Sequence, residues 1–66
     1  MTVYLNEKPV TITKDITLSD FLAQQEVPSQ GIAVAIDQKV IPRNQWESTL
    51  LADQQNILLI HIVSGG

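Results

Sequence analysis

Hydrophobic and polar residues alternate along the start of the chain with the period of two that is typical of β-strands. Residues 1–5 place Val3 and Leu5 on one face, and residues 10–13 alternate again. Between them lies the polar segment 6–9, which ends in Pro9, a residue that cannot donate a ladder hydrogen bond. These positions therefore predict two strands joined by a turn, that is, a β-hairpin.

After Thr17 the hydrophobic period changes to that of an α-helix. Thr17 and Asp20 stand three positions apart and resemble a capping box with Asp in place of Glu. Three apolar residues then follow at the spacing i, i+3 and i+4 that defines one helix face: Leu18, Phe21 and Leu22. Because the residue before Pro28 avoids helical backbone angles, we expect the helix over about residues 18–25.

The second half of the chain predicts further strands. Residues 32–36 alternate large apolar residues with alanine, residues 40–41 form a short strand, and residues 57–63 are apolar almost throughout. Residues 43–47 do not alternate and indicate a helical turn. The element order predicts an α+β domain with a mixed sheet of about five strands and one helix on one face. The ubiquitin-like β-grasp fold, with its first and last strands parallel at the centre, satisfies this order, and so do other small α+β sheets.

The end of the chain is the most informative segment. Ser64, Gly65 and Gly66 cannot continue the last strand. The predicted domain therefore covers residues 1–63 and is followed by a flexible tail, residues 64–66. Glycine accepts nearly any backbone conformation, which lets a chain pass through a narrow channel. The domain before the tail looks complete, so the pattern favours the carboxylate of Gly66 as the working group, although a frayed terminus has the same composition.

The last predicted strand is apolar on both faces, whereas a single helix covers only one face of the sheet. The uncovered face also carries the small side chains of Ala33 and Ala35. We therefore expect Leu58, Ile60 and Ile62 on an open apolar surface beside Ala35, and such surfaces usually bind a partner. The alternative is a central strand that is buried on both faces.

Composition excludes several classes of function. The 66 residues are enough for one domain, and they include no Cys and one His, so neither a disulfide nor a Cys/His metal site is expected. The formal net charge is −3 without a basic run, which argues against nucleic acid. The chain shows neither a signal peptide nor an apolar run long enough for a membrane helix. A cytoplasmic protein is the expectation.

Isolated side chains do not form a catalytic constellation. His61 lacks a Ser, Asp or Cys partner at a recognisable spacing, which favours a satisfied histidine at a sheet edge. Trp46 is more typical of a residue that covers a small core than of a ligand platform. We therefore expect a protein that is not an enzyme and that binds no cofactor of its own.

Residues 34–46, with the sequence Val-Ala-Ile-Asp-Gln-Lys-Val-Ile-Pro-Arg-Asn-Gln-Trp, resemble the central segment of the ThiS family of thiamine-biosynthesis sulfur carriers. Pro42-Arg43 followed by Trp46 favours this family over other ubiquitin-like, MoaD-like carriers that share the terminal Gly-Gly. With the length of the chain and its Gly-Gly end, the resemblance covers the whole sequence.

The chain departs from the family in one loop. The family commonly carries Asp-Gly-Asp before the last strand, whereas here Asp53 is followed by Gln54 and Gln55. A turn that uses a left-handed glycine must place Gln54 in that conformation or change its shape.

The resemblance implies a mechanism in which only Gly66 changes covalently. An activating enzyme related to ubiquitin-activating E1 (ThiF-type) uses MgATP to convert the Gly66 carboxylate to an acyl-adenylate. Sulfur from cysteine, relayed by a desulfurase, displaces AMP to give a thiocarboxylate. A thiazole synthase (ThiG-type) receives the sulfur. The resemblance further implies that Ser64 and Gly65 thread into these partners, while Leu58, Ile60, Ile62 and Ala35 dock them.

Two alternatives from other classes remain at the sequence level. One is the small, sulfur-carrying subunit of molybdopterin synthase, which is stably bound to a catalytic subunit. The other is a non-catalytic ubiquitin-like interaction module whose Gly-Gly end has no chemical role.

Overall fold

The computed structural model describes residues 1–28 and 30–62 and contains one five-stranded sheet in the order β2-β1-β5-β3-β4. The elements are β1 (Thr2–Leu5), β2 (Lys8–Thr11), α1 (Leu18–Gln24), β3 (Ile32–Ile36), β4 (Lys39–Ile41), a 3₁₀ helix (Arg43–Ser48) and β5 (Asn56–His61). β1 and β5 pair in parallel at the centre, and the other neighbouring strands pair antiparallel. The predicted β-grasp arrangement is therefore confirmed.

The first hairpin has a shorter turn than its polar sequence predicts. Only Asn6 and Glu7 form the turn, with φ angles of +48° and +72°, and Lys8 and Pro9 already belong to β2. The main chains of Met1 and Ile12 exchange hydrogen bonds of 3.2 and 2.7 Å. Antiparallel ladders alternate bonded and non-bonded pairs. Pro9 therefore falls at a non-bonded position on an edge strand, where its missing N–H breaks no hydrogen bond.

The helix α1 begins where its cap predicts. Thr17 has extended backbone angles, and its Oγ1 accepts a hydrogen bond of 3.1 Å from the N–H of Asp20. This bond satisfies one of the amides that a helix start leaves without a partner. The helix ends at Gln24 with Gln25 as its C-cap, in agreement with the expected range 18–25.

The core lies between α1 and the inner face of the sheet. β5 contributes Ile57, which is almost completely buried, and β1 contributes Val3. Trp46 covers one end of this core from the 3₁₀ helix, and its Nε1 donates a 3.0 Å hydrogen bond to the carbonyl of Ile41. The other buried members of the cluster are Ile12, Ile16, Leu18, Phe21, Leu22, Ile32, Val34, Ile36 and Leu51. Packing on this face leaves the opposite face of the sheet without a covering layer in the described residues.

Candidate functional site

The face of the sheet opposite α1 exposes large apolar side chains from β5 and from the residue after it. Leu58, Ile60 and Ile62 retain 50%, 43% and 56% of their accessible surface. They alternate along the chain with Ile57 and Leu59, which belong to the core or pack against it. The predicted outward direction of these side chains is confirmed, and the alternative of a strand buried on both faces is wrong.

Ala35 lies beside Leu58 on the outer face, as expected, although it retains only 6% of its accessible surface. Its contact with a partner stays a prediction. Ala35 lies between two larger neighbours, Val40 of β4 and Leu58 of β5, with which it is paired in register. Residues paired across a sheet point to the same face, with Cβ atoms about 4.5–5.5 Å apart. The flanking side chains therefore shield most of the alanine methyl group.

The same pairing reveals a residue that the sequence reasoning missed. Val40 points to the outer face and is 63% exposed. A two-residue turn, Asp37 and Gln38 with φ angles of +49° and +73°, joins β3 to β4 and places Val40 opposite Ala35. Once the length of this turn is known, counting forward from it places Val40 on the outer face. We call Val40, Leu58, Ile60 and Ile62 the outer apolar surface.

An open depression of about 470 Å³ adjoins the outer apolar surface at the Leu58 end. Tyr4, Asn6, Ala35, Asp37 and Leu58 are among its lining residues. The depression lies between the two tight turns of the sheet, so its rim is polar while its centre is apolar. This arrangement resembles the border of a protein interface more than an enclosed site for a small molecule.

The loop before β5 is tied to β1 by Asp53 and Gln54. Asp53 Oδ1 accepts a 2.8 Å hydrogen bond from the N–H of Thr2, and Gln54 N–H donates to the carbonyl of Thr2 at 2.6 Å. The hydrogen bond from Thr2, followed by one from the side chain of Gln54, lowers the pKa of Asp53 below its ordinary value of 3.8. Gln54 has a φ of +69°, so it takes the left-handed conformation itself.

His61 and Trp46 show no catalytic arrangement. His61 lies at the end of β5 and is exposed, and Trp46 is buried in the core. Among residues 1–28 and 30–62, no group of three or more His, Asp or Glu side chains is placed to hold a metal ion. No helix in the described part of the chain is long and apolar enough to cross a membrane.

The remaining predicted site residues, Ser64, Gly65 and Gly66, lie outside the described residues. The division into a domain of residues 1–63 and a tail of residues 64–66 therefore stays a prediction.

Comparison with known proteins decides the family. The model of the ThiS family matches residues 3–66, which is nearly the whole chain. The protein belongs to the ThiS family. The Escherichia coli protein named "Sulfur carrier protein ThiS" is 30% identical over 66 residues, with both chains covered completely. The protein named "Uncharacterized protein ycf40" from Pyropia yezoensis is also 30% identical over 66 residues, which cover this chain completely and 93% of that protein.

Solved structures support the ThiS fold independently. The crystal structure of the thiamine biosynthesis protein ThiS from Geobacter metallireducens superposes with a TM-score of 0.87, and both chains are fully covered. A solution NMR structure of a thiamine biosynthesis protein from the same organism gives a TM-score of 0.77 and is covered to 88%. Sequence identity to each is 20%, so these matches establish the fold and not the activity.

Proposed function

We propose that the protein is a sulfur carrier of thiamine biosynthesis and that the carboxylate of Gly66 carries the sulfur. The observation that supports this most strongly is the match of the ThiS family model through residue 66. The complete alignment with the E. coli sulfur carrier agrees with it. The proposal places the reaction in the cytoplasm.

The proposed chemistry occurs at one carbonyl carbon. A carboxylate is a poor electrophile, so a ThiF-type activating enzyme first uses MgATP to form the acyl-adenylate of Gly66 and releases pyrophosphate. A persulfide, supplied from cysteine through a desulfurase relay, then forms the C–S bond through its outer sulfur as the C–O bond to AMP breaks. Two equivalents of a thiol reductant cleave the S–S bond of the resulting acyl disulfide, which frees the relay thiol and leaves a disulfide of the reductant. The product is a thiocarboxylate, from which a ThiG-type thiazole synthase takes the sulfur.

In this proposal the chain is a substrate for its partners and not an enzyme. The pKa of Asp53 is lowered below its ordinary value. That shift has a structural cause in the hydrogen bond from Thr2. The proposal assigns MgATP to the activating enzyme.

The outer apolar surface is proposed to dock the two partner enzymes. Exposed apolar groups that cluster on one face release water when a partner covers them, which favours association. Docking on this face holds the body of the carrier while Ser64 and Gly65 enter the partner's active site. Glycine suits this role because its lack of a Cβ permits close approach of the backbone to surrounding groups.

The intact mass of the chain tests the proposed function. The protein is incubated with a ThiF-type activating enzyme from the same organism, MgATP, a cysteine–desulfurase sulfur source and a thiol reductant. We expect an exchange of one oxygen for sulfur, localised to Gly66 by fragmentation and absent when ATP is omitted. If the terminus stays unmodified while the E. coli carrier is converted by its own enzyme under the same conditions, the protein is an interaction module.

A further inference from the structure

β5 has an edge with no neighbouring strand beyond Leu59 in the part of the chain that the structure describes. β1 runs beside β5 only at the pairs Tyr4–Asn56 and Leu5–Ile57 and then turns away. β5 continues to His61, accompanied on its other side by β3. A central strand of the sheet thus becomes an edge strand over its last residues.

The side chain of Asn6 makes the last hydrogen bond on this edge. Its Oδ1 accepts from the N–H of Leu59 at 2.9 Å, where the carbonyl of a continuing β1 would otherwise lie. On the opposite edge, Ile62 N–H donates to the carbonyl of Gly31 at 2.8 Å. Alternate residues of a strand direct their main-chain groups to opposite edges. The main-chain N–H and C=O groups of Leu59 and His61 therefore point to the edge next to Asn6. The Leu59 carbonyl and the His61 N–H therefore face a side without a strand in residues 1–28 and 30–62.

We propose that this free edge, the Leu59 carbonyl and the His61 N–H, pairs with an extended segment of the enzyme that activates Gly66. The segment adds a strand to the sheet through main-chain hydrogen bonds. This inference rests on the proposed function, which supplies the partner. The edge adjoins the outer apolar surface through Ile60 and Ile62. Side chains of the added strand that point to the outer face are therefore expected to be apolar.

An activating enzyme fits this edge better than a second copy of the chain does. The main-chain groups of Leu59 and His61 offer hydrogen bonds of about 0.5–1.5 kcal/mol each, which is too little to hold two proteins together alone. Edge-to-edge pairing of two copies leaves both outer apolar surfaces uncovered and joins two chains of formal net charge −3. A partner that also covers the outer apolar surface approaches the about 1,200–2,000 Å² of a specific interface.

Proline at position 61 tests the pairing, because it removes the main-chain N–H that faces the free edge. Proline is tolerated on edge strands where its nitrogen points away from the sheet. The reference is His61→Ala, so that the comparison isolates the main-chain donor from the imidazole. We expect His61→Pro to raise the KM for the carrier in ATP-dependent adenylation about fivefold to tenfold over His61→Ala, with kcat little changed, since a lost hydrogen bond is worth about 1 kcal/mol.

A main-chain ester at position 61, introduced by semisynthesis, separates lost pairing from a distorted strand. The ester keeps the strand shape and lacks the donor, so it is expected to raise KM as proline does. It also weakens the Ile60 carbonyl that faces Ala33 of β3, so a small fall in the urea midpoint is expected. Equal KM values for the ester, His61→Pro and His61→Ala overturn the pairing but leave the proposed function intact. Failure of the wild-type chain to be adenylated overturns both. A concentration-dependent dimer that the ester abolishes in sedimentation assigns the edge to a second copy and overturns the chosen partner.

Discussion

At the scale of single residues, Gln54 carries a conformation that glycine adopts more easily. Its φ of +69° lies in the left-handed region, where a residue with a Cβ is disfavoured by roughly 1–2 kcal/mol. Its side chain accepts a 3.4 Å hydrogen bond from Tyr4 and donates one of 3.3 Å to Asp53. Both bonds are long and exposed, so they contribute little to stability. We predict that Gln54→Gly raises the free energy of unfolding by about 0.5–1 kcal/mol, measured by urea denaturation.

Gln55→Gly is the matched control for this prediction. Gln55 does not have a positive φ, and its Oε1 accepts a 2.7 Å hydrogen bond from the N–H of Ala52. Glycine at position 55 loses that bond and gains backbone freedom in the unfolded chain, so this variant should be less stable than the wild type. If Gln54→Gly is also less stable, the left-handed strain at Gln54 is not the dominant effect.

Asp53 makes stability depend on acid pH. The hydrogen bond from Thr2 lowers the pKa of Asp53 in the folded state below 3.8, so the folded state holds this proton less tightly than the unfolded state does. The stability that ionised Asp53 contributes to the folded state is therefore fully present above pH 3.8, and it is lost as the pH falls through the lower folded-state pKa. We predict a steeper loss of urea midpoint below pH 3.8 for the wild type than for Asp53→Asn. Parallel pH profiles would contradict it.

At the scale of elements, the hydrophobic periods of the sequence predicted most of the helices and strands correctly. The main difference between the prediction and the structure is the length of the turns. The polar run 6–9 was predicted as one turn, although Lys8 and Pro9 pair with β1. Both hairpins use two-residue turns of non-glycine residues at positive φ, led by Asn6 and Asp37. Composition alone does not give this register, because the usual Asn-Gly or Asp-Gly signal is absent.

Exposure on the outer apolar surface depends on the neighbouring strands as well as on each strand's own alternation. The alternation along residues 57–62 predicted the directions of Leu58 and Ile60, because strand parity is a local property. The burial of Ala35 and the exposure of Val40 depend on cross-strand neighbours. Those neighbours follow from the register of the β3–β4 hairpin, which the sequence pattern leaves open.

A charge on the outer apolar surface separates binding from folding. Ile60 is 43% exposed, so an aspartate there stays hydrated in the free domain but must lose water when a partner covers it. We predict that Ile60→Asp changes the free energy of unfolding by less than about 1 kcal/mol. Affinity for the ThiF-type enzyme should fall at least about tenfold, as expected for a central interface residue, measured by titration calorimetry.

Leu50→Asp is the matched control, because Leu50 is similarly exposed but lies beside Thr17 at the start of α1. It should bind the activating enzyme like the wild type. Equal losses of affinity for both variants would show a general effect of negative charge. Unfolding of Ile60→Asp would show that Ile60 belongs to the core.

At the scale of the whole molecule, the sheet separates two tasks. Its inner face packs against α1 and the 3₁₀ helix and supplies stability, while its outer face keeps apolar side chains exposed. Exposure of that kind adds nothing to the stability of a free domain and promotes association.

The proposed chemistry is confined to the end of the chain, where side chains contribute least. Glycine loses more backbone freedom on ordering than any other residue, so seating Gly65 and Gly66 in a partner has an entropic cost. That cost is justified if the partner's channel has no room for a Cβ. The position of the reacting carbonyl is then fixed by the length of the chain after β5, and the folded body acts as a stop.

We therefore predict that lengthening or shortening the chain by one residue abolishes sulfur loading. Adding an alanine after Gly66 moves the carboxylate beyond the partner's catalytic centre, and deleting Gly66 leaves it one residue short, about 3.3–3.6 Å of extended chain. Both variants keep every residue of the core cluster found in the described part of the chain, so urea midpoints should match the wild type. Intact mass after incubation with the ThiF-type enzyme, MgATP and the sulfur source measures loading. Loading of either variant at the wild-type rate contradicts a channel that measures chain length, and the working group must then be sought elsewhere.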